Sequence, residues 1–146
     1  MTSLLSKLFN AGSQLSELDK LQLDGVRRHL TPELAVLWDR QVQAINKVQR
    51  LPEGVEVDFY RMEKGRPTFD EKLAFPNKNE ELLVATLQLA LSITPEKLLA
   101  SLWCVKGFIF SIEYAGSISY FEEALGMDPR PELSVTCELK ADLSKG

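Results

Sequence analysis

The chain reads as an α+β protein, with N-terminal helices packed over one face of a mainly antiparallel sheet of about five strands. Two observations carry this. Apolar residues recur at helical spacing through the first third, at Leu34, Leu37, Trp38, Gln41, Val42, Ile45 and Val48. From Val55 the period drops to two and stays there through most of the remaining apolar runs. Helices that precede a run of strands, without a regular β-α repeat, favour one sheet with helices on one side.

Residues 1–12 form a candidate mobile N-terminal segment, a short amphipathic helix or a frayed end docking on the core, and too short for a signal sequence. Ser13 is the expected cap of a first helix with Leu15, Leu18, Leu21 and Val26 inward and Glu17, Asp19, Lys20 and Arg27 outward, weakened by Gly25. Thr31-Pro32-Glu33 supplies a hydroxyl cap, a proline whose missing N–H is harmless at the first helical position, and an acid in the positive first turn. The helix it starts is expected to run to Pro52 and Gly54. Val55, Val57 and Phe59 then alternate with Glu56, Asp58 and Tyr60 as a strand with one dry and one acidic face. Lys64-Gly65-Arg66-Pro67 is a turn, and 68–75 a weaker edge strand closed by Pro76.

The stretch 82–115 holds the two most apolar runs and is expected to be a β-α-β unit. Leu83, Ala85, Leu87, Leu89 and Leu91 recur at every second residue. Thr94-Pro95-Glu96 repeats the helix-start signature, with Leu98, Leu99, Leu102 and Trp103 on one side, and a strand resumes from Gly107. A short helix follows from Ile118 to Leu125, stopped by Gly126, and Asp128-Pro129-Arg130-Pro131 is a rigid connector. A last strand sets Leu133, Val135, Cys137 and Leu139 against Ser134, Thr136, Glu138 and Lys140. Residues 142–146 read as a polar tail, and the whole of 1–146 as a single domain.

At 146 residues such a domain buries roughly 70% of the surface its unfolded chain exposes, so a core needs no metal or disulfide. Twenty-one acids against seventeen bases give a net charge of −4, and no basic stripe interleaves with aromatics, which argues against nucleic acid as a partner. No apolar run has the length of a membrane span. Cys104 and Cys137 sit in apolar patterns and read as free, buried thiols, which suits a reducing, cytoplasmic setting.

Chemistry is sparse. His29 is the only histidine, it stands at a helix boundary, and no Gly-x-Ser-x-Gly elbow occurs. One histidine and two cysteines thirty-three positions apart spell no zinc pattern, and the eight glycines form no phosphate loop. The expectation is therefore a protein without cofactor or metal, and not an enzyme. Glu56, Asp58, Tyr60, Glu113 and Glu138 fall opposite the apolar positions of their strands, so they are candidates for one acidic, partly aromatic sheet face. Arg66 and Asp70, beside Phe69, add a mixed-charge loop as a second contact site.

Trp38 and Trp103 lie on apolar helical stripes and are expected in the core. The leading expectation is a small acidic module, an inhibitor, immunity-type or adaptor protein, that docks another protein of basic character through this face. The alternative is a small-ligand domain, weakly catalytic through its carboxylates, with a pocket between sheet and helices. A third reading is a homodimer through the edge strand at 72–75.

Overall fold

A computed structural model of the chain describes residues 14–146. The N-terminal segment and the Ser13 cap lie outside the described residues. Helix α1 (Glu17–Arg27) instead starts at Ser16, whose hydroxyl accepts from the Asp19 amide while the Asp19 carboxylate accepts from the Ser16 amide, each at 3.0 Å. Leu18, Leu23 and Val26 go into the core. Gly25 brings this helix onto the sheet: a Cβ there would stand 3.1 Å from Leu87 and 3.2 Å from Val135.

Helix α2 (Pro32–Ala44) is capped by Thr31, as its first three residues dictate. It ends well before Pro52, contrary to the sequence expectation. At Ile45 the backbone turns extended, and Asn46 both donates to the Met62 carbonyl (2.8 Å) and accepts from the Met62 amide (2.6 Å). That clamp delivers the chain into β1 (Lys47–Arg50), where Val48, whose branched Cβ suits a strand, lies opposite Phe59. Bidentate ion pairs of Arg27 with Asp39 (2.6 and 2.8 Å) and of Arg130 with Glu17 (2.6 and 3.1 Å) tie α1 to α2 and to the last connector.

The remaining strands are β2 (Glu56–Tyr60), β3 (Met62–Glu63), β4 (Arg66–Pro67), β5 (Leu82–Leu91), β6 (Lys97–Val105), β7 (Phe108–Ala115) and β8 (Leu133–Leu139), with α3 (Ile118–Leu125) between the last two. Six of them form one sheet in the order β1-β2-β7-β6-β5-β8, every neighbouring pair antiparallel. β3 and β4 make a separate two-stranded hairpin on Lys64-Gly65. The α+β class and the helices over one face are observed, with six strands in the main sheet rather than five.

The β-α-β unit at 82–115 is corrected: residues 97–105 are strand, and the unit is an antiparallel meander. Leu98, Ala100, Leu102 and Cys104 are buried at a period of two, while Lys97 and Leu99 are exposed. Thr94 accepts from the Glu96 amide (3.2 Å) and so closes a turn instead of capping a helix. The segment lies between β5 and β7, and hydrogen bonding on both edges outweighs its helical propensity. Gly107 at φ 91° and Lys106 at φ 51° supply the two positive dihedrals of the tight β6–β7 hairpin.

The edge strand expected at 68–75 is absent. Asp70 caps a single 3₁₀ turn, Glu71–Leu73, and Phe75 is fully buried against Trp38 with its amide bonded to the Gly107 carbonyl (2.9 Å). A homodimer through 72–75 has no strand to use. The tail is not loose either, because Leu143 is buried and its carbonyl accepts from the Asn77 amide at 3.0 Å.

Candidate functional site on the open sheet face

Helices α1 and α2 cover one face of the sheet, α1 over β5 and β8 and α2 over β7. The opposite face carries no helix among the described residues, and the register fixes what stands on it. Residues directly opposite each other on antiparallel strands share a face. One row therefore runs Glu56, Glu113, Ser101, Thr86, Glu138 across β2, β7, β6, β5 and β8. A second, two residues along on β2, β7 and β6 and three along on β5, where the register shifts, runs Asp58, Ser111, Trp103, Leu83. Tyr60 stands beyond Asp58 with its ring edge-on to Phe110 at 5.7 Å between centroids.

A bulge explains Phe110. Trp103 pairs with Ser111 and Cys104 with Ile109, so β7 carries one extra residue and Phe110 turns outward beside Ser111. Between the rows lies a cavity of about 290 Å³ lined by Glu56, Glu81, Trp103, Phe110, Ser111 and Glu113, among others. A second, larger trough of about 570 Å³ lies over Thr86, Gln88, Leu99, Ser101 and Glu138.

The charges in this place are arranged against folding. Glu56 and Glu113 are directly opposed, an arrangement that destabilises a strand pair. Asp58, expected on a wet face, is only 8% exposed, and its Oδ1 has no hydrogen-bond partner. The Glu56 carboxyl is held above the usual carboxylate range, first by the hydrogen bond its acid form makes to Asp58, then by burial and by the Asp58 charge. Burial, then the charges of Asp58 and Glu56, raise the Tyr60 phenol. Trp103, expected in the core, is half-buried on this face with its indole Nε1 buried and unbonded.

Some acids elsewhere have cations, Asp19 with Arg50, Asp39 with Arg27, Glu17 with Arg130 and Glu138 with Lys140, whereas others such as Glu33, Glu63 and Glu122 form no ion pair among the described residues. Glu56, Asp58, Glu81 and Glu113 form no ion pair among the described residues, although Lys47 stands across from Tyr60 on the same face.

The structure thus brings Glu56, Asp58, Tyr60 and Glu113 together and leaves three candidates apart. Glu138 is three strands from Glu113, roughly 14 Å at the usual strand spacing, and is held by Lys140 at 2.8 Å. Arg66 pairs across the small hairpin with Glu63, and Asp70 is taken up as a cap. Neither lines the cavity. Ser111, Trp103 and Phe110 escaped the sequence reading. Strand parity across 97–105 would have found Trp103, whereas no residue pattern announces the bulge that exposes Phe110.

On the helix side, a cleft of about 190 Å³ lies between α1 and α2, where Arg27 and Asp39 are already paired with each other. Tyr114 donates to Asp19 (3.1 Å), which also accepts from Arg50 (2.7 Å), and the space beside them is about 50 Å³. Burial, then Asp19, push the Tyr114 phenol far up. Further along, buried Gln41 donates to the carbonyls of Leu73 (2.6 Å) and Gly107 (2.9 Å) and accepts from the Ile109 amide (2.8 Å). Arg61 donates to the Ile109 carbonyl (3.0 Å) and lies over the Phe108 ring, its guanidinium pushed down to about 10 by burial. These contacts pin the 61–79 segment to the β6–β7 hairpin, which is a structural task. Both cysteines are free, and burial pushes the Cys104 thiol up to about 12, so it is a poor nucleophile.

No protein-family model, no curated protein and no solved structure matches the chain, so the functional reading rests on this geometry. No helix among the described residues is long and apolar enough to cross a membrane.

Proposed function

We propose that the protein is a small acidic binding module that docks a basic partner protein through the open face of its sheet, as an inhibitor, immunity-type or adaptor protein would. The observation that carries this reading is the opposed Glu56 and Glu113, with buried Asp58 beside Glu56 and no ion pair to any of the three among the described residues. An arrangement that costs folding stability and that no cation among the described residues relieves is accounted for when an external cation relieves it. The reading makes the protein a binder rather than a catalyst, without cofactor, and the free thiols suit the cytoplasm.

The experiment is a pull-down from lysate at low and at high salt. It uses the wild type and a variant in which Glu56→Lys, Glu113→Lys and Glu138→Lys invert the face. A partner retained by the wild type at low salt, released by salt and not bound by the inverted variant supports docking here. Retention of nothing, or equal retention by both proteins, overturns it.

A further inference from the structure

The two edges of the main sheet are finished differently. At one edge β1 is four residues long and carries Lys47 and Arg50, and the Gln14 side chain accepts from the Val48 amide and donates to the Asn46 carbonyl, each at 2.8 Å. Short length, cations and a covering group are the usual means of keeping a sheet edge from pairing. At the other edge β8 has none of them among the described residues. It runs seven residues without proline, its register on β5 is unbroken from Leu133 to Leu139, and Glu138 is its one charged side chain.

The ladder decides which backbone groups of β8 face outward. The Ser92 amide donates to the Glu132 carbonyl (2.9 Å) and the Lys140 amide to the Val84 carbonyl (2.8 Å), so the even-numbered residues turn their amides and carbonyls to β5. Leu133, Val135, Cys137 and Leu139 turn theirs to the free edge, where no other described backbone group bonds to them. The side chains along this edge are self-complementary about a two-fold axis at Thr136. A second β8 running antiparallel sets Leu133 against Leu139, which is 38% exposed in the single chain, and Val135 against Cys137. It also sets Ser134 against Glu138, and exposed Glu132 against Lys140. Apolar side chains thus meet on the helix side, and Glu132, without an ion pair among the described residues, meets a cation. Neighbouring registers lose this match. An axis at Val135 opposes Glu132 to Glu138, and one at Cys137 leaves Lys140 against Ser134.

We propose that two copies of the chain pair antiparallel through β8 about a two-fold axis at Thr136, joining their six-stranded sheets into one. The outward amides and carbonyls of each β8 then bond to those of the other. Assembly stops at two copies, because the remaining edge of each is the β1 edge that Gln14 covers. The paired edge lies three strands from Glu113, so pairing neither requires nor excludes a basic partner docked at the acidic end of the open face.

Sedimentation equilibrium of the full chain, from about 1 μM to about 1 mM, should show a mass that reaches twice 16.4 kDa and rises no further. Over the same range, amide exchange at Val135 and Cys137 should slow about tenfold, while the Thr136 amide, bonded to β5 in either state, changes little. Thr136→Lys sets two cations face to face at the axis, and Thr136→Glu two carboxylates, at an exposed position. Each variant alone should keep the single-chain mass and the wild-type circular dichroism, and an equimolar mixture of the two should regain the doubled mass. A single-chain mass at every concentration would overturn the proposal and leave the edge to a strand of another protein. So would a doubled mass without slowed Val135 and Cys137 amides, variants that dimerise alone as the wild type does, or a mixture that stays monomeric. The exchange measurement uses no variant, so it decides the matter even where a substitution disturbs folding.

Discussion

Individual carboxylates in this chain have sharply different fates, and sequence position alone did not separate them. Asp19 sits in a run of charged residues and reads as an outward side chain, yet it is 1% exposed and receives the Ser16 amide, the Arg50 guanidinium and the Tyr114 hydroxyl. Asp19→Ala removes all three at once and strands the Tyr114 hydroxyl, so a loss of about 2–4 kcal/mol in urea unfolding is expected. A loss below ~1 kcal/mol would show that the network is not holding α1 to the sheet.

Glu56 gives the opposite sign. Its folded pKa lies above the ordinary value of 4.5, so just above that value the folded protein holds more protons on this group than the unfolded chain does. Its contribution therefore falls as pH rises through that window and is unfavourable at neutral pH. Glu56→Gln should raise the Tm at neutral pH by a small amount, within about 0.5 kcal/mol at this largely wet site, and the gain should vanish in acid. A variant less stable than wild type at neutral pH would contradict the like-charge argument on which the docking face depends.

At the level of elements, the same tripeptide pattern has two outcomes. Thr31-Pro32-Glu33 opens a helix, whereas Thr94-Pro95-Glu96 closes a hairpin loop. The residues after each fit both a helical and a strand period. What differs is the neighbourhood: 97–105 has a partner strand on both edges, and 32–44 has a sheet beneath it. Ile118–Leu125 and Leu133–Leu139 were legible because apolar spacing and stop signals agree with where the chain can pack. Gly25 shows how closely one element is fitted to another. Its missing Cβ is part of the α1–sheet contact, so Gly25→Val should destabilise by about 1–3 kcal/mol despite removing a poor helix former, as thermal unfolding would register. An unchanged or higher Tm would mean that the helix rides higher on the sheet than described.

For the molecule as a whole, the strand order predicts where stability resides. β5, β6 and β7 are bonded on both edges, while β1 is a four-residue edge strand. Amide exchange should be slowest in β6 and β7 and in Leu87 and Leu89 of β5, and fastest in β1 and the β3–β4 hairpin. Equal protection of β1 and β6 would contradict this order. The same order decides the acidic face. By itself the sequence determined the class of fold, the wet side of β8 and most of β5, the net charge and the absence of familiar catalytic signatures, because these follow from local period and composition. Only the tertiary structure decided that β2 lies beside β7, which sets Glu56 against Glu113. It also placed β8 three strands away with Glu138, and buried Asp58 on a face its parity marks as wet. The physical reason is that strand adjacency, bulges and burial depend on contacts between distant parts of the chain, and a period of two is the same whichever neighbour a strand acquires.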